Sequence, residues 1–295
     1  MILPNKLFKN LKYIFSRDKI NKKDIYLVDP LKDKNFLIDS LNEEDILAVD
    51  TEFDWRNTYF PKLSLLQIAS KSRILLIDCL QSGSLHFLKK LLENEKKLII
   101  MHSSRSDTTV LYTNLNIKVK NIFDIQIAEK YISNGDLKNY ATIVNKYFRI
   151  NLKKTETNSN WLNRPLSEEQ LNYAAEDVNY LIEIYKKQKK ILKKINFLEK
   201  VYKKSIRESR LGHQDLHVSR MKKLNRPSKV EKNIFLWREK YAENLNIPTS
   251  HVFKNKDLKK IAYLIEEKKE GKNELMKYFK TSLYLKEFFD YFKDR

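Results

Sequence analysis

The order of hydrophobic patterns predicts an α/β domain, with helices flanking a mixed central sheet, followed by a small all-α helical bundle. Over residues 23–205, short apolar runs alternate with segments of helical periodicity, the pattern of helices layered on a sheet. From Ser228 onward the strand-like runs stop and apolar residues recur at helical spacing alone. A third observation marks the functional edge. The run Ile46-Leu47-Ala48-Val49-Asp50-Thr51-Glu52-Phe53 is apolar and then ends abruptly in two acids, as a buried strand does when it delivers charge to one edge of a sheet.

Composition bounds the rest. A chain of 295 residues accommodates one large domain and a small one, and 42% hydrophobic content excludes wholesale disorder. With 58 Lys+Arg against 38 Asp+Glu, the formal net charge is +20. A field of that sign attracts polyanions, which makes nucleic acid the leading partner. Part of the excess reflects biased composition, since Lys, Asn, Ile and Tyr are abundant and there are only 4 Gly. A single cysteine, Cys79, excludes an intramolecular disulfide and fits a reducing, cytoplasmic compartment. No apolar run approaches the roughly 20 residues that cross a bilayer. Residues 1–22 read as a basic N-terminal arm; its Leu7, Leu11 and Ile14 among Lys6, Lys9, Lys12 and Arg17 leave organellar targeting by residues 1–20 as the alternative.

In chain order, Asp24 to Val28 reads as a strand, and Asp29-Pro30 as the cap and first position of a helix through Leu41. In the acid-bearing strand that follows, alternation puts Asp50 and Glu52 on one face, roughly 7 Å apart. Carboxylates that close resist ionising unless a cation lies between them, and oxygen ligands suit hard divalent ions such as Mg²⁺ or Mn²⁺. The plainer alternative is that both acids only open the next loop. That loop, Asp54 to Pro61, is aromatic and polar; Trp55 and Tyr59 are of the type that stacks a base, or they cover a sheet edge. Leu63 to Ala69 and Arg73 to Ile77, split by Ser70-Lys71-Ser72, form a hairpin that joins the acid-bearing strand in one sheet.

A helix from Ser84 to Glu93 and a strand from Lys97 to Met101 come next. His102 to Asp107 then places a third acid at a strand-to-helix junction, where open α/β sheets bind ligands; an ordinary first-turn helix acid is the alternative. Asp124 caps a helix running to Tyr131, and a further helix spans Leu137 to Tyr147. Ser167 and Gln170 form a capping box for a helix on which Tyr173 and Asp177 share one face, with Ala174 and Ala175 allowing close approach to the sheet. A phenol and a carboxylate so placed can orient a water beside a metal; they can equally be a half-buried Tyr and a solvated Asp. Lys186 to Lys194 extends this helix as a basic ridge. Residues 206–227, with Gly212 and Pro227, read as a linker, and 228–295 as the helical domain.

Taken together, Asp50-Thr51-Glu52, then Asp107, then Tyr173 with Asp177 resemble the three motifs of the DEDD 3′-to-5′ exonucleases, in the tyrosine-bearing subclass. Tyr59-Phe60-Pro61-Lys62-Leu63 with Gln67, the His102-to-Asp107 spacing, and Trp161 with Arg164-Pro165-Leu166 extend the similarity to the ribonuclease D family. It covers Asp24 to Gln188. Trp237-Arg238, Pro248 with Val252, and Leu258 with Ile261-Ala262 resemble the small helical HRDC domain shared by helicases and ribonuclease D; a generic three-helix bundle is the alternative. One departure is Ser103-Ser104-Arg105-Ser106, where a small pair and an acid are usual before Asp107.

The resemblance implies a ribonuclease H-like exonuclease fold over 23–205 and a metal-dependent 3′-5′ exoribonuclease. It would trim structured RNA such as tRNA precursors to nucleoside 5′-monophosphates by two-metal-ion hydrolysis. By similarity, Asp50, Glu52 and Asp177 hold the first of two divalent ions (Mg²⁺ or Mn²⁺), Asp50 and Asp107 serve the second, and Tyr173 positions the attacking water. Trp55, Tyr59, Gln67, His102, Arg105 and Arg164 are the expected substrate contacts. Two other classes remain: a DNA exonuclease of Werner type, and an RNA-binding protein whose centre no longer turns over.

Overall fold

The computed structural model describes residues 23–80, 85–152, 156–267 and 272–293. The basic arm and its targeting reading lie outside the described residues, as does the expected helix start at Ser84. The chain forms two units: one holds the chain through Asp54 together with Lys62–His213, and the other holds Trp55–Pro61 together with the chain from Gln214.

The first unit is built on six strands: β1 (Asp24–Val28), β2 (Ile46–Asp54), β3 (Lys62–Ala69), β4 (Arg73–Asp78), β5 (Leu98–Met101) and β6 (Ile122–Asp124). Their order is β1-β4-β3-β2-β5-β6. The β2–β3 and β3–β4 pairs are antiparallel, while β1–β4, β2–β5 and β5–β6 are parallel. The predicted hairpin and mixed sheet are both present. Because β2 and β5 run parallel, their carboxyl ends share one edge, which sets the acids of β2 beside the helix that follows β5.

Helices cover both faces of this sheet. On one side Leu37 and Leu41 of α1 (Lys34–Asn42) and Leu88, Leu91 and Leu92 of α2 (His86–Leu92) share a core with Leu47, Val49, Leu66 and Ile68, joined by Leu111 of α3 (Arg105–Leu115). On the other side, α4 (Ile125–Ser133), α5 (Tyr140–Phe148), α6 (Glu168–Asn179) and α7 (Leu181–Lys194) bury apolar residues with Ala48, Leu65, Ala69 and Leu76. Strand alternation puts Asp50 and Glu52 on this second face and Thr51 on the first.

Three boundaries differ from the sequence reading. Helix α1 starts at Lys34, because Asp29 and Asp33 spend their carboxylates on a turn: Asp29 Oδ1 accepts from the Leu31 N–H at 2.9 Å and Asp33 Oδ2 from the Asp29 N–H at 3.0 Å. The basic ridge lies on α7, separated from α6 at Tyr180. The expected linker is largely helical: α8 (Leu198–Gly212) belongs to the first unit and packs on α3 and β6, and α9 (Leu216–Met221) belongs to the second.

The second unit adds α10 (Lys229–Asn244), capped by a Ser228–Glu231 capping box, then α11 (Thr249–Val252), α12 (Leu258–Glu267), α13 (Lys272–Leu275) and α14 (Ser282–Lys293). Its core gathers Ile234, Phe235, Trp237, Phe253, Ile261, Phe279 and Phe288. Tyr59, from the loop after β2, is 1% exposed within it.

Candidate active site

The site begins with β2. In its antiparallel pairing with β3, Asp50 stands opposite Gln67 and Glu52 opposite Leu65, with a bulge between Glu52 and Phe53. A bulge at that point bends the strand away directly after the second acid. From the opposite layer α3 supplies Asp107, whose Oδ1 accepts from Thr51 Oγ1 at 2.6 Å. The carboxyls of Asp50 and Asp107 lie close enough to perturb each other's protonation. From above the sheet α6 brings Tyr173 and Asp177, close enough that each shifts the other's protonation. Thr157 Oγ1 lies 3.3 Å from Tyr173 Oη.

The electrostatics follow from this crowding. Burial first, then Asp107, Asp177 and Glu52, hold the Asp50 carboxyl well above the usual carboxylate range. Burial, then Asp177 and Asp107, push Glu52 up to about 9. Asp177 is raised by burial, Glu176 and Asp107, against the pull of the Tyr173 hydroxyl. Asp107 is raised by burial and partly relieved by the Thr51 hydroxyl. The Tyr173 phenol is raised too, by burial and the Asp177 charge, so it stays protonated and acts as a donor. Beside the acids lies a cavity of about 280 Å³ lined by Asp50, His102, Tyr140, Thr157, Tyr173 and Asp177.

A set of four mutually repelling oxygen-donor groups fits hard divalent cations by its chemistry. Among the described residues no group of three or more such side chains is arranged to hold an ion as it stands, so a cation would draw these acids together.

The expected substrate contacts separate into two groups. His102 lines the cavity, its Nε2 3.1 Å from the Lys138 carbonyl oxygen, and Trp55 is 37% exposed in the second unit. The other four are corrected. Arg164 spends all its donors on the protein: Nε and Nη2 clasp Asp78 at 2.7 Å each, Nη2 also reaches Ser64, and Nη1 reaches the carbonyls of Trp161 and Asn163. Tyr59 is buried with Oη 3.2 Å from Glu239 Oε2 and the Arg220 guanidinium over its ring. Gln67 is completely buried beneath the second-face helices, and its amide has no hydrogen-bond partner among the described residues. Arg105 points away from the acids; its Nε donates to Glu208 of α8 at 2.8 Å, and it lines a separate groove of about 490 Å³ with Lys130, Tyr131 and Lys204.

Other residues at the site escaped the sequence reading. Asp124 caps α4 as expected, with its Oδ1 accepting from the Gln126 and Ile127 N–H groups. It also takes the Ser103 and Ser104 N–H groups at 3.1 and 2.8 Å. It thereby fixes the turn, with Ser103 at φ 57°, that launches α3 and places Asp107. Thr51 is visible in sequence only as the residue between two acids, and Tyr140 carried no motif.

Strand β2 with helices α3 and α6 thus gathers four acids and a phenol at one edge of a mixed sheet. A family model described as 3′-5′ exonuclease matches residues 26–193, more than half of the chain, and the chain belongs to that family. Within the family it is similar to ribonuclease D proteins. It is 31% identical over 250 residues to that of Desulfotalea psychrophila, covering 80% of this chain and 66% of the relative. It is 31% identical over 233 residues to that of Haemophilus influenzae, covering 75% and 58%. The chain thus spans less than two thirds of the length of these relatives. The fold matches the crystal structure of Escherichia coli RNase D, described as an exoribonuclease involved in structured RNA processing, with a TM-score of 0.72 at 22% identity over 81% of this chain and 66% of that one. It also matches the catalytic core of RRP6 from Trypanosoma brucei, with a TM-score of 0.67 at 22% identity over 92% and 79%. Among the described residues, no helix is long and apolar enough to cross a membrane.

Proposed function

We propose that this chain is a divalent-metal-dependent 3′-to-5′ exoribonuclease that trims structured RNA, tRNA precursors among them, and releases nucleoside 5′-monophosphates. The observation that carries this is the convergence of Asp50, Glu52, Asp107 and Asp177, each carboxyl raised by burial, and Asp50, Glu52 and Asp177 raised further by neighbouring acids. Such a cluster is costly to the fold and is relieved by bound cations. Two divalent ions, Mg²⁺ or Mn²⁺, held by these four acids would supply Lewis-acid stabilisation of the phosphoryl oxygens and an activated water.

The chain's own groups do the rest. Tyr173, protonated and held beside Asp177 and Thr157, would orient the attacking water through its hydroxyl, so its contribution is positional. A cavity of about 280 Å³ beside the acids is in keeping with attack at a single 3′ terminus. The net charge of +20 offsets the acids and draws in the polyanion. Similarity to ribonuclease D favours RNA over DNA as substrate. The second unit, read as the helical domain shared by helicases and ribonuclease D, adds contacts that do not depend on sequence.

A competition between RNA and DNA 3′ tails, with products separated by chromatography, tests this. Preferential loss of the RNA tail and accumulation of nucleoside 5′-monophosphates are expected. Preferential degradation of the DNA tail would favour the Werner-type reading, and nucleoside 3′-monophosphates would contradict the chemistry.

A further inference from the structure

Where α6 passes into α7, a side chain from α5 braces the helix end. Here the Tyr180 N–H donates to Tyr140 Oη at 3.3 Å, and Tyr140 Oη donates to the Glu176 carbonyl oxygen at 3.0 Å. The phenol thus braces the last turn of α6, where the two helices divide at Tyr180. The brace brackets Asp177, which lies between the two backbone groups that Tyr140 ties together.

Tyr140 is itself well placed to hold that position. It opens α5, whose cap Asn139 accepts from the Thr142 N–H at 2.9 Å. Its ring sits 5.8 Å from that of His102, and it lines the same cavity as Asp50, Tyr173 and Asp177. The neighbouring Lys138 carbonyl accepts from Gln126 at 3.0 Å, which ties the start of α5 to α4.

We infer that Tyr140 is a positioning residue: its hydroxyl, bonded to the Glu176 carbonyl and the Tyr180 N–H, sets the orientation of the Asp177 carboxylate toward the other three acids. This rests on the metal-dependent reading of those acids. Without the hydroxyl, the last turn of α6 loses the brace that ties it to α5, and the turn that carries Asp177 is free to shift. Partners that orient a ligand in this indirect way typically change metal affinity by about 10- to 100-fold when removed.

The test is Mn²⁺ binding to the full chain without RNA, by calorimetry and by the Mn²⁺ electron paramagnetic resonance signal, for the unaltered chain, Tyr140→Phe and Tyr147→Phe. Tyr147 is the control because its hydroxyl also makes a partly buried hydrogen bond, to Glu129 at 2.9 Å, outside this cavity. Tyr140→Phe is expected to weaken Mn²⁺ binding roughly tenfold or more and to lower kcat with KM for RNA unchanged, while Tyr147→Phe leaves both alone. Equal affinity in Tyr140→Phe and the unaltered chain, or equal losses in the two variants, overturns the role of Tyr140 and leaves the exonuclease reading intact. An unaltered chain that binds no Mn²⁺ overturns the metal reading and this inference with it.

Discussion

Raising the pH of the metal-free protein should destabilise it, and the size of the effect follows from the acid cluster. Glu52 is pushed up to about 9 in the folded chain, whereas an exposed glutamate in the unfolded chain titrates near its ordinary value of about 4.3. Between those two pH values the folded state holds a proton that the unfolded state has released. Stability therefore falls as pH rises, is fully present below about 4.3, and has been lost by about 9. One retained proton corresponds to about 1.4 kcal/mol per pH unit, so moving from pH 5.5 to 8.5 costs about 4 kcal/mol. For a unit of this size that lowers the melting temperature by roughly 8–16 °C. The background runs the other way, since a chain of charge +20 loses positive charge and self-repulsion as pH rises.

Thermal melts followed by circular dichroism in chelator, repeated in millimolar Mg²⁺ or Mn²⁺ and with Asp50→Asn, measure this. The slope should be steep in chelator, flattened by either ion, and shallower in Asp50→Asn, which should melt above the unaltered chain at pH 8.5 because one repelling charge is gone. A melting temperature that stays flat or rises in chelator over this range would refute the reasoning.

Other consequences are more local. Arg164→Ala should destabilise the fold by about 3–5 kcal/mol in urea unfolding, because it strands the buried Asp78 carboxylate; Arg164→Lys should not restore the loss, since a single ammonium cannot replace the fork. Tyr173→Phe should lower kcat about a hundredfold with KM and Mn²⁺ affinity unchanged in steady-state and binding assays, as expected of a group that orients water and is not itself a metal ligand. Gly212→Ala should cost about 1–3 kcal/mol in the same unfolding assay, since a Cβ there would run into Thr108 Oγ1 and stand 2.8 Å from the Arg105 carbonyl oxygen, forcing α8 off α3.

The acids were legible in sequence because strand and helix periodicity alone places them: Asp50 and Glu52 alternate on one strand, Asp107 opens a helix at the strand end, and Tyr173 and Asp177 lie one turn apart. The Ser167 capping box was legible for the same reason, its partners being three residues apart. Features set by distant residues were not. Arg164 looks like a phosphate ligand until Asp78, far away in sequence, is seen to take both arms of its fork. Tyr59 follows the catalytic strand closely, yet it is buried against Glu239 and Arg220 in the second unit. A cut at Ser228 would thus remove Glu239 and leave that tyrosine without its acceptor. The brace on the end of α6 at Tyr180 leaves no mark in sequence, because it is a hydroxyl forty residues earlier. Arg105, the departure from the family pattern, is answered by Glu208 on α8, and that pairing is invisible until α3 and α8 are seen side by side.

The most direct test of the central claim is a time course on a 3′-tailed tRNA precursor labelled at its 5′ end, run with Mg²⁺, with chelator, and with Asp50→Asn in Mg²⁺. A ladder that shortens from the 3′ end and vanishes with both chelator and substitution is the predicted result. RNA that stays intact with every divalent ion, or a ladder that persists in Asp50→Asn, would contradict it.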